Sequence, residues 1–473
     1  MRTKQTKIIC TLADGRCDPE FIAKLVENGM DVVRLNTAHL DIPTAEKIVA
    51  NIRAVSDRVG VLLDTKGPEV RTCNLMKPLQ LKTGDRVEIG VTHVPENGFQ
   101  VSYSGFAEEV PVGSRILIDD GLIALAVEQK TCNTLICIAL NDGEIKNKKG
   151  VNVPSVQLDL PTLTEKDAEF IDWATRNPVD FIAHSFVRCR EDVLAIQGIL
   201  DLRRSPIKII AKIENREGVN NLESILDVAH GIMVARGDLG IEIPAEEVPG
   251  VQKEMIKTCI RRIKPVITAT QMLESMVNNP RPTRAEVSDV ANAIYDGTDA
   301  IMLSGETAYG KFPGEAVQMM ADIAHMVESQ KESLLDTLPV HQQSAEVMPR
   351  NHLAKAAVSC AAALPVKAII TSTRAGETAR ICASYRGNSP ILALSEHMST
   401  VRQLSLSYGV YSAKIDMTQT TDEELVKVCL RKMLEENRIE PDDLIVFVGG
   451  GHQDASQHTN MIQIEKVSAL LKP

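Results

Sequence analysis

Short apolar runs alternate with helix-like segments through the first two-thirds of the chain. The runs are TKIICTL (6–12), DVVRLN (31–36), GVLLDT (60–65), DFIAHSF (180–186), KIIAKIE (208–214), GIMVAR (231–236), PVITAT (265–270) and AIMLSG (300–305). Between them, segments such as PEFIAKLVENG and AEFIDWATRNP carry apolar residues at helical spacing and end at Gly or before Pro. Strands alternating with helices predict parallel βαβ units, and eight of them predict a closed (β/α)8 TIM barrel; the alternative is an open doubly wound sheet. Residues 70–158 differ. LQLKTGDRVEIG, VGSRILIDDGLIALAVEQ and TLICIALNDGEI alternate apolar and polar positions around TGD, DDG and NDG turns, which predicts an antiparallel all-β insertion placed as a lid. VESQKESLLDTLPVHQQSAEVMPR reads as a linker, after which KAIITST, ILALSE, GVYSAKI, DLIVFVGG and MIQIEKV predict a C-terminal α/β domain of about five strands. The expected division is 1–69 and 159–340 for the barrel, 70–158 for the lid and 341–473 for the last domain.

A chain of 473 residues is long enough for two to four cores. Its net charge of −11 argues against nucleic-acid or anionic-membrane partners, so an anionic substrate needs local cations or a metal. The ten cysteines are scattered without a CxxC pair, which argues against a zinc site or disulfide framework and suits a reducing compartment. No signal-peptide core and no run of about 18 apolar residues is present, so the expected location is cytoplasmic.

Active sites of (β/α)8 enzymes gather at the C-terminal ends of the strands. Those ends carry Arg34, Asn36 and His39; Asp64, Lys66, Glu69 and Arg71; Lys212 and Glu214; Asp238; Thr270; and Ser304 with Glu306. Each cluster alone has a plainer reading, as a surface loop, a helix cap or a chance RGD match. Strand alternation turns Lys212 and Glu214 to the same face. Glu214 and Asp238 end adjacent runs; they suit a magnesium ion completed by waters and phosphates, or else a structural ion pair or helix caps. Fixed charge from Arg34, Lys212 and Arg71 beside such an ion suits phosphoryl transfer. Ala235-Arg236-Gly237-Asp238 is expected to open a helix whose amides face a carboxylate or phosphate. No Walker loop or HRD/DFG set occurs.

MDVVRLN, LLDTKGPEVRT, LIDDGLI, KKGVNVPS, LPTLTEKD, KIENREG, GIMVARGDLGIEIP, ITATQMLESM and NPRPTRAEVSDVANAIYDGTDAIMLSGE together resemble pyruvate kinases over almost the whole chain. The resemblance implies transfer of phosphate from phosphoenolpyruvate to ADP, with magnesium (or manganese) and potassium, in a homotetramer. By matching position, Lys212 would stabilise the enolate beside the moving phosphoryl group, and Arg34 would bind that phosphate. Ala235, Arg236, Gly237 and Asp238, through their backbone, and Thr270 would grip the substrate carboxylate. Glu214 and Asp238 would hold the divalent ion, and Asn36, Asp64 and Thr65 the potassium. Glu69 matches the potassium-dependent type. The enolate's proton would arrive through water near Thr270, Ser304 and Glu306. Arg71, His39, Asp119 and Lys149, with Lys148, would meet the nucleotide. Thr371, Ser372, Thr373 and Thr378 would cradle a phosphorylated effector, or simply cap a helix; the partner loop GGGHQDASQHTN is atypical.

Three positions depart from the family pattern. Ala38 stands where a potassium-binding serine is usual, Ala13-Asp14 where Gly-Pro is usual, and Tyr309 where a lysine near the nucleotide phosphates is usual. These motivate an alternative, a catalytically impaired relative acting as a metabolite-binding regulator. A further alternative is a phosphoenolpyruvate/pyruvate-class barrel lyase, which would have no use for the lid or for Lys212 beside Glu214.

Overall fold

The computed structural model describes residues 4–154, 156–331, 338, 349–416, 422–450 and 459–471. Most of the expected linker at 327–350 and of the loop at 449–460 lies outside them. The eight apolar runs form a closed parallel barrel: β1 (Lys7–Leu12), β2 (Val32–Asn36), β3 (Gly60–Asp64), β4 (Phe181–His184), β5 (Lys208–Ile213), β6 (Gly231–Ala235), β7 (Val266–Ala269) and β8 (Ala300–Leu303). Strand β1 pairs with both β2 and β8, so the sheet has no edge. The open-sheet alternative is thereby removed.

Local chemistry sets the helices between these strands. Asp18 and Asp41 cap helices Pro19–Glu27 and Ile42–Val55 by accepting the amides of Phe21 and Thr44. Thr164 with Asp167, and Thr283 with Glu286, form capping boxes. Gly297, at φ +95°, ends helix Arg284–Asp296 in the left-handed conformation that a side chain disfavours.

The pleat decides what fills the barrel. Ile9, Val32, Leu62, Phe181, Ala183, Ile210, Met233, Ile267, Ala269, Ala300 and Met302 form the inner core, while the alternate residues pack outward against the helices. Stepping two residues further from that core along the first five strands reaches Thr11, Arg34, Asp64, Ser185 and Lys212 at the C-terminal mouth. The inner layer and the polar mouth are thus one alternation continued.

The β-rich insertion leaves after β3 and returns before helix Glu165–Ala174. Its own core runs from Val70 to Val153 and includes Phe99 and Phe106. The sheet is not wholly antiparallel as expected: strands Arg86–Gly90 and Gly98–Val101 pair parallel. The chain doubles back within residues 91–97 before the second strand begins, a feature that alternation cannot reveal. In the C-terminal domain the five expected strands form one sheet, in the order Val410–Lys414, Ile391–Ser395, Val366–Ser372, Leu444–Gly449, Met461–Lys466, the last antiparallel. This domain docks on the barrel through buried charge pairs: Arg402 on Asp180 at 2.6 Å and Arg386 on Asp299 at 2.8 Å. Among the described residues, no helix is long and apolar enough to cross a membrane.

Candidate active site

Lys212 stands at the centre of the barrel mouth. Its ammonium lies 3.1 Å from Asp64 Oδ1 and 3.0 Å from Glu214 Oε1, and donates to Ser185 Oγ at 2.7 Å. Burial alone would favour the neutral amine, but the Asp64 and Glu214 carboxylates outweigh it and hold the ammonium above its ordinary pKa. The strand ends at Ile213, so Glu214 is the first residue beyond it.

Asp64 is shared. Its second oxygen accepts Arg34 Nε at 2.6 Å, while Arg34 Nη1 donates to Thr11 Oγ1 at 3.1 Å. Burial pushes the Asp64 carboxyl up, yet Lys212 and Arg34 pull it below the usual range, so it stays ionised. Glu214 accepts the Phe186 amide at 2.6 Å. Burial raises the pKa of Glu214, Lys212 opposes this, and the nearby Asp238 charge adds to it; Asp238 is likewise raised, chiefly by burial. A buried and a half-buried carboxylate that resist ionising together are a donor set that a divalent cation would relieve, and the pair fits magnesium.

The RGD turn opens helix Arg236–Glu242 as expected. Gly237 N donates to Thr270 Oγ1 at 2.8 Å, and that hydroxyl donates to Ala269 O at 2.6 Å. Thr270 sits at φ +67° and Gln271 at +51°. A β-branched residue rarely adopts this conformation, and such strain concentrates at functional sites. The Arg236 side chain does not join the substrate set. Its guanidinium is taken up by Asp289 Oδ1 and Thr270 O, both at 2.7 Å, and so holds the loop after β7 in place. Glu306 is similarly committed, accepting the amides of Ser304 at 2.8 Å and Leu273 at 3.1 Å.

Between lid and barrel lies a cavity of about 660 Å³, lined by Glu69, Arg71, Asp119, Lys148, Lys149 and Asp238 among others. Within it Lys149 pairs with Asp119 at 2.8 Å, and Arg71 with Glu69 at 2.7 Å. Arg71, Asp119 and Lys149 are therefore brought together beside Asp238. His39 is exposed on the loop after β2 and is not part of that lining.

A lid inserted after the third strand, a lysine between two carboxylates and the side chains of Arg71 and Lys149 lining the cleft narrow the choice, and relatives agree. The family model "Pyruvate kinase, barrel domain" matches residues 3–317, and "Pyruvate kinase, alpha/beta domain" matches 351–465. The chain belongs to the pyruvate kinase family. It is 46% identical to a pyruvate kinase of Borreliella burgdorferi over 100% of this chain and 99% of that one. It is 44% identical to one of Geobacillus stearothermophilus, over 99% of this chain and 81% of the other. The crystal structure of a pyruvate kinase from Cryptosporidium parvum superposes with a TM-score of 0.92 at 36% identity, covering 98% of this chain and 96% of that one.

Pyruvate kinases generally use magnesium and potassium. The residues expected to bind potassium are already engaged within the protein. Asn36 Oδ1 accepts the Ala38 amide at 3.1 Å, Thr65 Oγ1 accepts the Ser185 amide at 3.0 Å, and both Asp64 oxygens hold cationic side chains. Ala38 adds no hydroxyl. The neighbouring departures are milder than their charges imply: Asp14 pairs with Lys47 at 3.1 Å, which offsets its negative charge, and Tyr309 is 68% exposed at the rim.

In the α/β domain, helix Glu377–Ser384 follows the threonine-rich loop, and Gly376 turns into it at φ +80°. Thr371 and Thr378 are buried; Thr371 Oγ1 donates to Ser372 O, and Thr378 Oγ1 shares a 2.8 Å hydrogen bond with Thr459. Thr373 Oγ1 accepts the Gly376 amide at 3.0 Å, and Ser372 is half-buried. Three of the four hydroxyls thus already shape the loop.

Two residues absent from the sequence-based set belong to the site. Ser185 touches Lys212, and its signal was its position two after the inward-facing Ala183. Asp167 holds the entrance to the lid, accepting the amides of Lys66 at 2.8 Å and Gly67 at 3.2 Å. In the sequence it appears only within the LPTLTEKD motif.

Proposed function

We propose that the chain transfers the phosphoryl group of phosphoenolpyruvate to ADP, yielding pyruvate and ATP, the last step of glycolysis. The observation that carries this reading is the Lys212 ammonium held between Asp64 and Glu214, with Arg34 beside it and the lid cavity reaching Asp238. The bond between phosphorus and the enol oxygen breaks, and a bond forms from phosphorus to the terminal oxygen of ADP. The enolate left behind takes a proton at carbon to become pyruvate. Lys212 keeps its positive charge at neutral pH and stabilises both the transferring group and the developing enolate. Arg34 orients the phosphate. The Ala235–Asp238 backbone and Thr270 hold the substrate carboxylate at a rigid, strained turn. Glu214 and Asp238 are assigned to magnesium or manganese, whose contribution there is neutralising charge on the phosphoryl oxygens. Asn36, Asp64 and Thr65 are assigned to potassium. Arg71, Asp119 and Lys149 are assigned to the nucleotide within the cleft, and His39 to its outer edge.

By family likeness we assign a cytoplasmic homotetramer, regulated through Thr371, Ser372, Thr373 and Thr378 with a phosphorylated ligand; the ten free cysteines suit a reducing compartment. We assign residues 1–69 with 159–340 to the barrel, 70–158 to the lid and 341–473 to the C-terminal domain. The deciding assay mixes phosphoenolpyruvate, ADP and magnesium, with and without potassium, and follows pyruvate. Turnover is expected, and Lys212→Met is expected to lower it by a factor on the order of 100–1,000 or more while substrate binding stays measurable. Absence of turnover from folded wild-type protein under every cation and effector condition would refute the reading and favour the impaired regulator.

A further inference from the structure

An ammonium has three N–H donors. In Lys212 each is matched to a separate acceptor: Asp64, Glu214 and Ser185. Two of these acceptors have competing duties. Asp64 also holds Arg34, while Glu214 also accepts the Phe186 amide and belongs to the proposed cation pair. The Ser185 hydroxyl is the neutral acceptor of the three, and its contact is the shortest.

Ser185 is itself fixed. Its hydroxyl donates to Thr65 O at 2.7 Å, and its amide donates to Thr65 Oγ1 at 3.0 Å. Asp64 Oδ1 lies farther from the hydroxyl, at 3.4 Å; the shorter contact directs the single proton at Thr65 and leaves the oxygen's lone pairs for Lys212. The residue is 2% exposed. Its surroundings leave no slack: a Cβ added to Gly67 would lie 2.8 Å from Ser185 Cβ and 2.7 Å from the Phe186 ring. Gly67 sits at φ +69° and Phe186, directly after Ser185, at φ +57°. Strained backbone next to the hydroxyl is held only where surrounding contacts enforce it.

We propose that Ser185 is a positioning residue for phosphoryl transfer: its hydroxyl anchors the Lys212 ammonium to the β3–β4 edge of the barrel mouth. The lysine then stays aimed at the reacting group whenever Asp64 or Glu214 takes another partner. This inference rests on the role proposed for Lys212.

The test is steady-state kinetics of Ser185→Ala and Ser185→Cys beside wild type and Lys212→Met, with folding checked by circular dichroism. Displacing a catalytic group by about 1 Å costs on the order of a hundredfold. Ser185→Ala is therefore expected to lose roughly tenfold to a hundredfold in kcat, with KM for phosphoenolpyruvate changed less than about threefold. Cysteine, a weaker acceptor of similar shape, should fall between wild type and alanine. A kcat for the alanine variant within about threefold of wild type, a loss confined to KM, or a cysteine variant no better than alanine would overturn the proposal. Should the alanine variant not fold, the cysteine variant decides: reduced kcat supports the anchor and unchanged kcat overturns it. Lys212→Met separates the two levels. If it retains turnover, the reading of Lys212 fails; if it is inactive while Ser185→Ala is unaffected, only the role of Ser185 fails.

Discussion

Asp167, on the first turn of the helix that follows the lid, accepts the backbone amide of Lys66, which precedes the lid, at 2.8 Å. The same carboxylate takes Gly67 N at 3.2 Å, and the Thr164 hydroxyl at 2.6 Å. One buried side chain therefore joins the outgoing and returning connections of the inserted domain. Removing it orphans buried amides, at about 1–3 kcal/mol each. Asp167→Ala is expected to lower the thermal midpoint and to hasten proteolytic cleavage near 66–70, measured by a melt and by limited digestion. An unchanged digestion rate would mean that the lid connections are held by other contacts.

The Glu214–Asp238 pair predicts a pH-dependent effect of divalent ions. Burial, against the opposing Lys212 charge, pushes Glu214 above its unfolded value, so the folded form binds the proton more tightly than the unfolded chain. Its contribution to stability is full below the ordinary glutamate pKa and is lost as pH rises through the raised value. A cation binds the deprotonated pair, so magnesium should raise the melting temperature more at pH 8 than at pH 5.5. Glu214→Gln should remove most of that difference. Equal shifts at both pH values would place the ion elsewhere.

Ala38 lies beside Asn36, with its amide on Asn36 Oδ1 at 3.1 Å. Restoring a hydroxyl with Ala38→Ser is expected to lower the potassium concentration needed for half-maximal activity. A titration of rate against potassium, at constant ionic strength, measures this. An identical curve would show that no monovalent site is built from this loop.

Tyr309 is exposed at the rim, and the nearby Asp14 charge is offset by Lys47. A lysine there adds one solvent-screened charge, worth about 0.2–1 kcal/mol. Tyr309→Lys is therefore expected to lower KM for ADP by only about two- to fivefold, with KM for phosphoenolpyruvate unchanged. A much larger gain would mark position 309 as the main defect on the nucleotide side.

Several features are local properties of the chain and were readable as such. Eight apolar runs of strand length, the helix-like segments between them and the charged residues at the ends of the runs depend on neighbours a few positions apart. The same periodicity turns Lys212 and Glu214 to one face, and family motifs add the chemistry. Other features depend on distant partners. The parallel pair inside the lid follows from how a connection returns, and Asp167 meets Lys66 across 101 positions of sequence.

The physical reason is the side-by-side pairing of parallel strands that are distant in sequence. Lys212 and Ser185 are 27 positions apart, and Ser185 and Thr65 are 120 apart, yet adjacent parallel strands bring all three within hydrogen-bonding distance. Alternation and composition sufficed to say that a lysine and two acids crown the barrel. Only the tertiary structure could assign the ammonium its third acceptor, turn the Arg236 guanidinium to Asp289 and pair Asp14 with Lys47, because each of these depends on which strand ends and helices distant in sequence become neighbours.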